Sequence, residues 1–195
     1  MKNDIILAGV GGQGILSIAA IIGYAAVQSG LYLKQAEVHG MSQRGGDVQS
    51  HLRLSSDEIA SDLIPEGKAD MIISVEPMES LRYLPYLGPD GWLITNTEPY
   101  VNIPNYPDLE EVLGEVRKLP RHVALDAGAL AEEAGSKKAA NVVILGAASP
   151  FIDIPVEKLE EAIHFLFGKK GEDLVEINLK ALHAGRKVAQ ADAEN

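Results

Sequence analysis

Apolar and polar positions follow two alternating rhythms along the 195 residues. Asp4–Val10 is a continuous apolar run ending in glycines, the pattern of a strand buried on both faces. Gly14–Ser29 has helical length and is rich in Ala and Ile, and Gly30 stands where a helix stop is expected. Leu31–Val38 reads as a second strand, so these residues predict a βαβ unit and, by default, a parallel sheet. Val48–Leu54 alternates as a half-exposed strand does. Further strands are expected at Met71–Val75, Trp92–Thr95 and His122–Leu125. Helices are expected at Pro77–Leu84, Asp108–Lys118, Ala127–Ala134 and Asn141–Ala148. Pro89-Asp90-Gly91 signals a turn, and Pro99, Pro104 and Pro107 mark residues 97–107 as a loop. From Val156 the period is helical, over Val156–Phe167 and Leu174–Ala189. The expected fold is α/β: a three-layer α/β/α arrangement with a largely parallel, Rossmann-like sheet. A helical C-terminal part, residues 156–189, would pack on it within a single domain spanning 1–195.

Composition narrows the function. A formal net charge of −11 argues against a nucleic-acid partner, and Lys137–Lys138 and Lys169–Lys170 are too small to form a strong basic patch. There is no cysteine, hence no disulfide and no thiolate for an iron–sulfur cluster or a zinc site. The apolar run Ile15–Val27 is too short to span a bilayer and contains Ser17 and Gly23. Asp4 stands where a secretion signal would be basic. The expectation is a cytoplasmic protein with no membrane partner.

Two segments carry candidate chemistry. Gly9-Val10-Gly11-Gly12-Gln13-Gly14 matches G-x-G-x-x-G between a predicted strand and a predicted helix. Such a turn brings backbone N–H groups at a helix N-terminus close to an anion, phosphate or pyrophosphate being the natural guest. Glycine needed for tight packing alone is the competing reading. Glu37 ends the second strand near where a ribose-binding acid is expected. Ile15 and Leu16 replace the Lys and Ser/Thr of a Walker A loop, which argues against nucleoside triphosphate hydrolysis.

The second segment is Glu37–Gly46, EVHGMSQRGG. Gly40 to Gly45 is one residue too long for a G-x-S-x-G nucleophile elbow, so Ser42 is a weak nucleophile candidate. Arg44 beside Gly45 and Gly46 is better explained as an anion clamp. His39 would donate to a substrate or satisfy a backbone carbonyl, and Met41 is read as packing. His39 and His51 lack the spacing of metal ligands. His122, His164 and His183 read as structural, and Glu157, Glu160 and Glu161 as a solvated face. Asp126 either faces the sheet's crevice or caps the following helix.

The GVGGQG loop, EVHGMSQRGG, IPEGKADMIISVEPMESLR, NVVILGA and EINLKALHAG together resemble one family, from about Asp4 to about Ala189. It is the gamma-type domain of 2-oxoacid:ferredoxin oxidoreductases, nearest in form to the beta subunit of the indolepyruvate enzymes. The HGMSQRGG form is specific to that branch; relatives acting on pyruvate or 2-oxoglutarate tend to carry a shorter Gly-x-Glu-x-Arg-Gly-Gly type of loop.

The resemblance implies oxidative decarboxylation of an aryl 2-oxoacid to an acyl-CoA, with electrons passed to ferredoxin. It also implies that thiamine diphosphate, Mg²⁺ and 4Fe-4S clusters sit on a large (alpha) partner subunit. This chain has no cysteine and no Gly-Asp-Gly followed by paired Asn, so it binds none of them and is inactive alone. Coenzyme A is the co-substrate that the resemblance links to this domain. It carries that role onto Gly11, Gly12, Gln13 and Gly14, and onto His39, Gly40, Met41, Ser42, Gln43, Arg44, Gly45 and Gly46, with Arg44 on a CoA phosphate or the substrate carboxylate. No residue here is expected to be catalytic. In the alternatives the loop only docks the partner, the chain is a non-catalytic interaction module, or GVGGQG with Glu37 serves an NAD(P)-dependent oxidoreductase. The absence of Tyr-x-x-x-Lys weighs against the last.

Overall fold

Strand β1 (Lys2–Val10) is buried at every residue but its first, because both faces of it are covered. Ile5 and Leu7 join one apolar cluster, and Ile6 and Ala8 join another on the opposite face. The computed structural model describes residues 1–39 and 45–193, without the side chains of His39 and Ala193. β1 is followed by α1 (Ile15–Gln28), β2 (Tyr32–His39), β3 (Asp47–Ser55), β4 (Ala69–Ser74), α2 (Pro77–Arg82) and β5 (Leu87–Asn96). Then come α3 (Leu109–Arg117), β6 (His122–Leu125), α4 (Ala127–Ala134), α5 (Ala140–Ala148), α6 (Val156–Phe167) and α7 (Glu172–Ala193).

The six strands form one sheet in the order β2-β3-β1-β4-β5-β6. β1, β4, β5 and β6 pair in parallel, while β3 runs antiparallel to both β1 and β2. Three of the five pairings are parallel, the largely parallel, Rossmann-like arrangement that the βαβ pattern predicts, and the two made by β3 are antiparallel, so the sheet is mixed. β1 and β2 do point the same way, as a helical crossover requires. The crossover skips one place, and β3 turns back from β2 to fill it. A sequence pattern gives the sense of a crossover, not which strand ends up adjacent.

Two layers of helices cover the sheet. Residues from α1, α4, α5, α6 and α7 share a core with Ile5, Leu7, Leu52, Met71, Ile73 and Val123. Val116 of α3, Tyr83 after α2 and Ile64 pack with Ile6, Ala8, Ile72 and Leu93 on the other face. Asp108 caps α3 as expected, accepting from the amides of Glu110 and Glu111 at 2.9 and 3.1 Å. β6, α4 and α6 have the spans the periodicity predicts. β5 begins earlier than its apolar run: Ala69 pairs with Leu87 but Met71 pairs with Trp92, so the Pro89-Asp90-Gly91 turn bulges out within the strand.

Asp4 and Arg53 stand opposite in the β1–β3 register. Their side chains form a bidentate pair at 2.7 and 3.0 Å, which satisfies a carboxylate buried in a central strand.

Candidate functional site

The carboxyl ends of β1, β2, β4, β5 and β6 share one edge with the start of β3. From β1 the chain crosses through α1 toward β2. From β4 it proceeds the other way, to β5. The connections thus part between β1 and β4, the place where open α/β sheets leave a crevice for ligands. A cleft of about 540 Å³ opens there. Gly12, Gln13, Gly14 and Ser17 form one wall, and Lys137, Lys138 and Asn141 face them across Asn96 and Glu98.

Each wall is built for a reason visible in the sequence. Gly12 has a φ of 100°, and a side chain there would meet nothing within 4 Å, so its backbone is open to the cleft. Gly14, at φ 83°, begins α1, and a Cβ on it would lie 2.5 Å from the amide nitrogen of Asn141. That nitrogen donates to the Gly14 carbonyl at 3.0 Å, tying the loop to α5. Gln13 is spent on the protein: its carbonyl accepts from Val10 N at 2.8 Å, and its amide donates to Val75 O at 3.4 Å. It thereby staples the end of β1 to the end of β4. Among the described residues α1 has no side-chain cap and no acid in its first turn, so nothing there offsets its positive dipole end; of its first amides, Ser17 N donates to Gly14 O at 3.0 Å.

The far wall supplies cations. Lys137 donates to Glu98 at 2.7 Å, and that hydrogen bond, with the nearby negative charge, raises the lysine pKa. Lys138 is exposed beside it and also lines a smaller neighbouring cleft with Ser17 and Asn178. Asn96 is buried and fixes the floor, its carbonyl accepting from Ala127 N at 3.0 Å and Glu98 N at 3.3 Å. Backbone amides, ammoniums, a hydroxyl and side-chain amides are equipment for holding an anion rather than for breaking a bond. A second cleft, of about 310 Å³, lies on the other side of the glycine loop, between Gly11, Leu16, Glu37 and Val48.

Three elements meet at the base of the 37–46 segment. Gly11 N donates to Gly46 O at 2.9 Å. The side-chain amide of Asn102 donates to Gly45 O, and the Tyr83 hydroxyl donates to Asp47 at 3.1 Å. Burial, followed by the Asp47 charge, pushes the Tyr83 phenol well above its ordinary pKa. Behind this base Glu76 is fully buried. Glu79, also buried, has its pKa raised by desolvation, against the pull of its pair with Arg82 at 2.7 Å.

Residues 4–188 match the family of pyruvate ferredoxin/flavodoxin oxidoreductases. The chain belongs to that family. Among curated proteins it is 41% identical to the indolepyruvate oxidoreductase subunit IorB of Archaeoglobus fulgidus, over 95% of this chain and 94% of that one. It is 39% identical to the same subunit of Pyrococcus horikoshii, over 97% and 96% of the two chains. Among solved structures it is similar to a 2-oxoglutarate:ferredoxin oxidoreductase from Magnetococcus marinus, with 2-oxoglutarate, coenzyme A and succinyl-CoA bound. That likeness has a TM-score of 0.76 and 25% identity, covering 97% of this chain and 31% of that chain.

The fold brings Gly11, Gly12, Gln13 and Gly14 to the edge that carries both clefts, with Gly45 and Gly46 beside them. Gly40, Met41, Ser42, Gln43 and Arg44 lie outside the described residues, as does the His39 side chain. Glu37 lines the second cleft, but from a strand two places away from β1. In a dinucleotide fold the acid-bearing strand is β1's neighbour. Here β3 occupies that place and runs the opposite way, which removes the basis of the NAD(P) alternative. Asp126 caps α4, accepting from Ala129 N at 2.9 Å.

Sequence reasoning missed Asn96, Glu98 and Asn141, and it weighed Lys137 and Lys138 only as a possible nucleic-acid patch. No local signal marks them; only the fold brings them to a loop more than eighty residues earlier. Among the described residues no helix is long and apolar enough to cross a membrane.

Proposed function

We propose that this chain is the small subunit of a cytoplasmic indolepyruvate:ferredoxin oxidoreductase, and that residues 1–195 act in it as a single domain. The observation that carries this reading is the near full-length identity, up to 41%, with indolepyruvate oxidoreductase subunits. The likeness to a structure with coenzyme A bound supports CoA as the ligand of the cleft between β1 and β4.

Thiamine diphosphate supplies the carbanion chemistry of such an enzyme, and clusters carry its electrons. Neither group fits this chain. It holds no cysteine, and Asp90-Gly91 sits in the β5 bulge against Ala69, at the edge opposite the glycine loop. Both are therefore assigned to the large subunit, from which ferredoxin takes the electrons. What this chain does is hold and orient. Gly12 and the amino end of α1 receive a CoA phosphate, Lys138 neutralises it while Lys137 stays paired with Glu98, and Asn141 keeps the loop in place. Arg44 adds a guanidinium for a phosphate or for the substrate carboxylate.

The test is reconstitution with the large subunit and an assay of indolepyruvate against pyruvate. Preference for indolepyruvate, with Arg44→Ala or Lys138→Ala raising the KM for CoA, is the expected outcome. Failure of the two subunits to associate would sink the reading. Weaker association of Arg44→Ala with unchanged CoA dependence would make the loop a docking element instead.

A further inference from the structure

Residues 99–107 carry no charge, and much of their apolar surface faces solvent, with Val101 67% and Tyr100 43% exposed. Burial therefore does not explain how this segment is held. The carboxylate of Glu76 does. One oxygen accepts from Glu79 N at 2.8 Å, capping α2. The other accepts from Tyr100 N at 3.2 Å and from the Tyr106 hydroxyl. Glutamate is not among the favoured helix caps, which are shorter. Here the extra methylene lets one side chain cap the helix and still reach the segment.

Between those two anchor points Asn102 stands on the exposed side and donates to Gly45 O. Gly45 has a φ of 77°, so its carbonyl points where an ordinary residue would rarely aim it. The next carbonyl, that of Gly46, takes the amide of Gly11 at 2.9 Å. Hydrogen bonds joined by short stretches of backbone, 100–102 and 45–46, thus link a buried carboxylate to the glycine loop.

We propose that Glu76 is a positioning residue: through Tyr100, Tyr106 and Asn102 it sets the place of Gly45 and Gly46, and so of the glycine-loop wall of the cleft. The activity arm of its test rests on the CoA reading above; the exchange arm does not.

Amide hydrogen exchange of the full chain reads the first arm. Asn102→Ala should speed exchange at Gly45–Val48 by about tenfold, the factor expected when a hydrogen bond worth roughly 1.4 kcal/mol is lost. Protection in β4 should stay unchanged. Asn102→Asp, which keeps the size but removes the donor, should match it, and Tyr106→Phe should act in the same direction. Glu76→Asp keeps the cap but shortens the reach; if it fails to fold, the other three variants still decide. Unchanged exchange at Gly45–Val48 in those three overturns the proposal.

In the complex with the large subunit the same variants should raise the KM for CoA severalfold and leave kcat unchanged. Faster exchange with an unmoved KM overturns the link to the cleft. A wild-type complex whose rate ignores CoA refutes the CoA reading instead, and leaves the exchange result standing.

Discussion

Asn141 of α5 donates its side-chain amide to the carbonyl of Gly14 at 3.0 Å, across 127 residues of sequence. Asn141→Asp keeps the shape and loses the donor. It is expected to cost about 1–2 kcal/mol of stability, measured by urea denaturation, and to raise the KM for CoA in the reconstituted complex. Gly14→Ala should be worse on both counts. It forces a left-handed φ on alanine and drives a methyl against the same amide.

The crossing of α5 and α7 predicts a sharper contrast. A Cβ on Gly146 would lie 2.0 Å from the carbonyl oxygen of Leu182, and one on Gly185 would lie 1.9 Å from that of Val143. These neighbours are backbone and cannot rotate away. Either glycine changed to alanine should destabilise by about 3 kcal/mol or more, or yield insoluble protein. Gly114, on the surface helix α3, has nothing within 4 Å of its missing Cβ. Gly114→Ala should raise stability by about 0.5–1 kcal/mol. Thermal unfolding of the three variants checks the order.

His51 predicts a pH dependence. It is buried, its Nδ1 accepts from Ile64 N at 3.0 Å, and its Nε2 lies 2.9 Å from the Gln49 amide. Desolvation first, then Arg53, lowers its pKa from the ordinary 6.5, against a smaller opposing effect of Asp62. The folded state thus favours the neutral ring. Above about pH 6.5 both states are neutral and stability is complete. As pH falls below that value the unfolded chain takes up the proton first. This stabilising contribution is then lost until the folded ring titrates as well. Urea midpoints from pH 7.5 to 5 should fall in the wild type, and the component due to this residue should vanish in His51→Gln.

Arg53→Met tests the buried pair. It removes the bidentate partner of Asp4 in a central strand; among the described residues, exposed Lys2, at 2.7 Å, stays paired with that carboxylate. A loss of about 3 kcal/mol is expected in urea, and Asp4→Asn should recover part of it in the Arg53→Met background.

Much of the fold was legible because strands buried on both faces and amphipathic helices leave different periods. β6, α4 and α6 match to the residue. Adjacency was not legible: nothing in Leu31–Val38 says that the next strand will slip between it and β1. Half of the candidate cleft was legible, since the glycines of GVGGQG mark the strand–helix turn that lines it. The other half, from Asn96 to Asn141, reaches the cleft only because β5, α4 and α5 return to that edge. Gln13 illustrates the limit within the motif itself. It looked like a ligand residue, and its side chain holds two strand ends together.

The insertion of β3 between β1 and β2 also shapes how the molecule is built. As synthesis proceeds, β1, α1 and β2 appear before β3, yet β1 and β2 never pair with each other. When the chain has reached Val38, these two strands have no ladder between them. The β2 half of the sheet closes only when residues 47–55 return, and the other half only when β4 docks on β1. Such non-local closure is slow and leaves apolar strand edges bare in the meantime. The edge that carries the candidate cleft is therefore assembled late, after strands from both sides have met around β1.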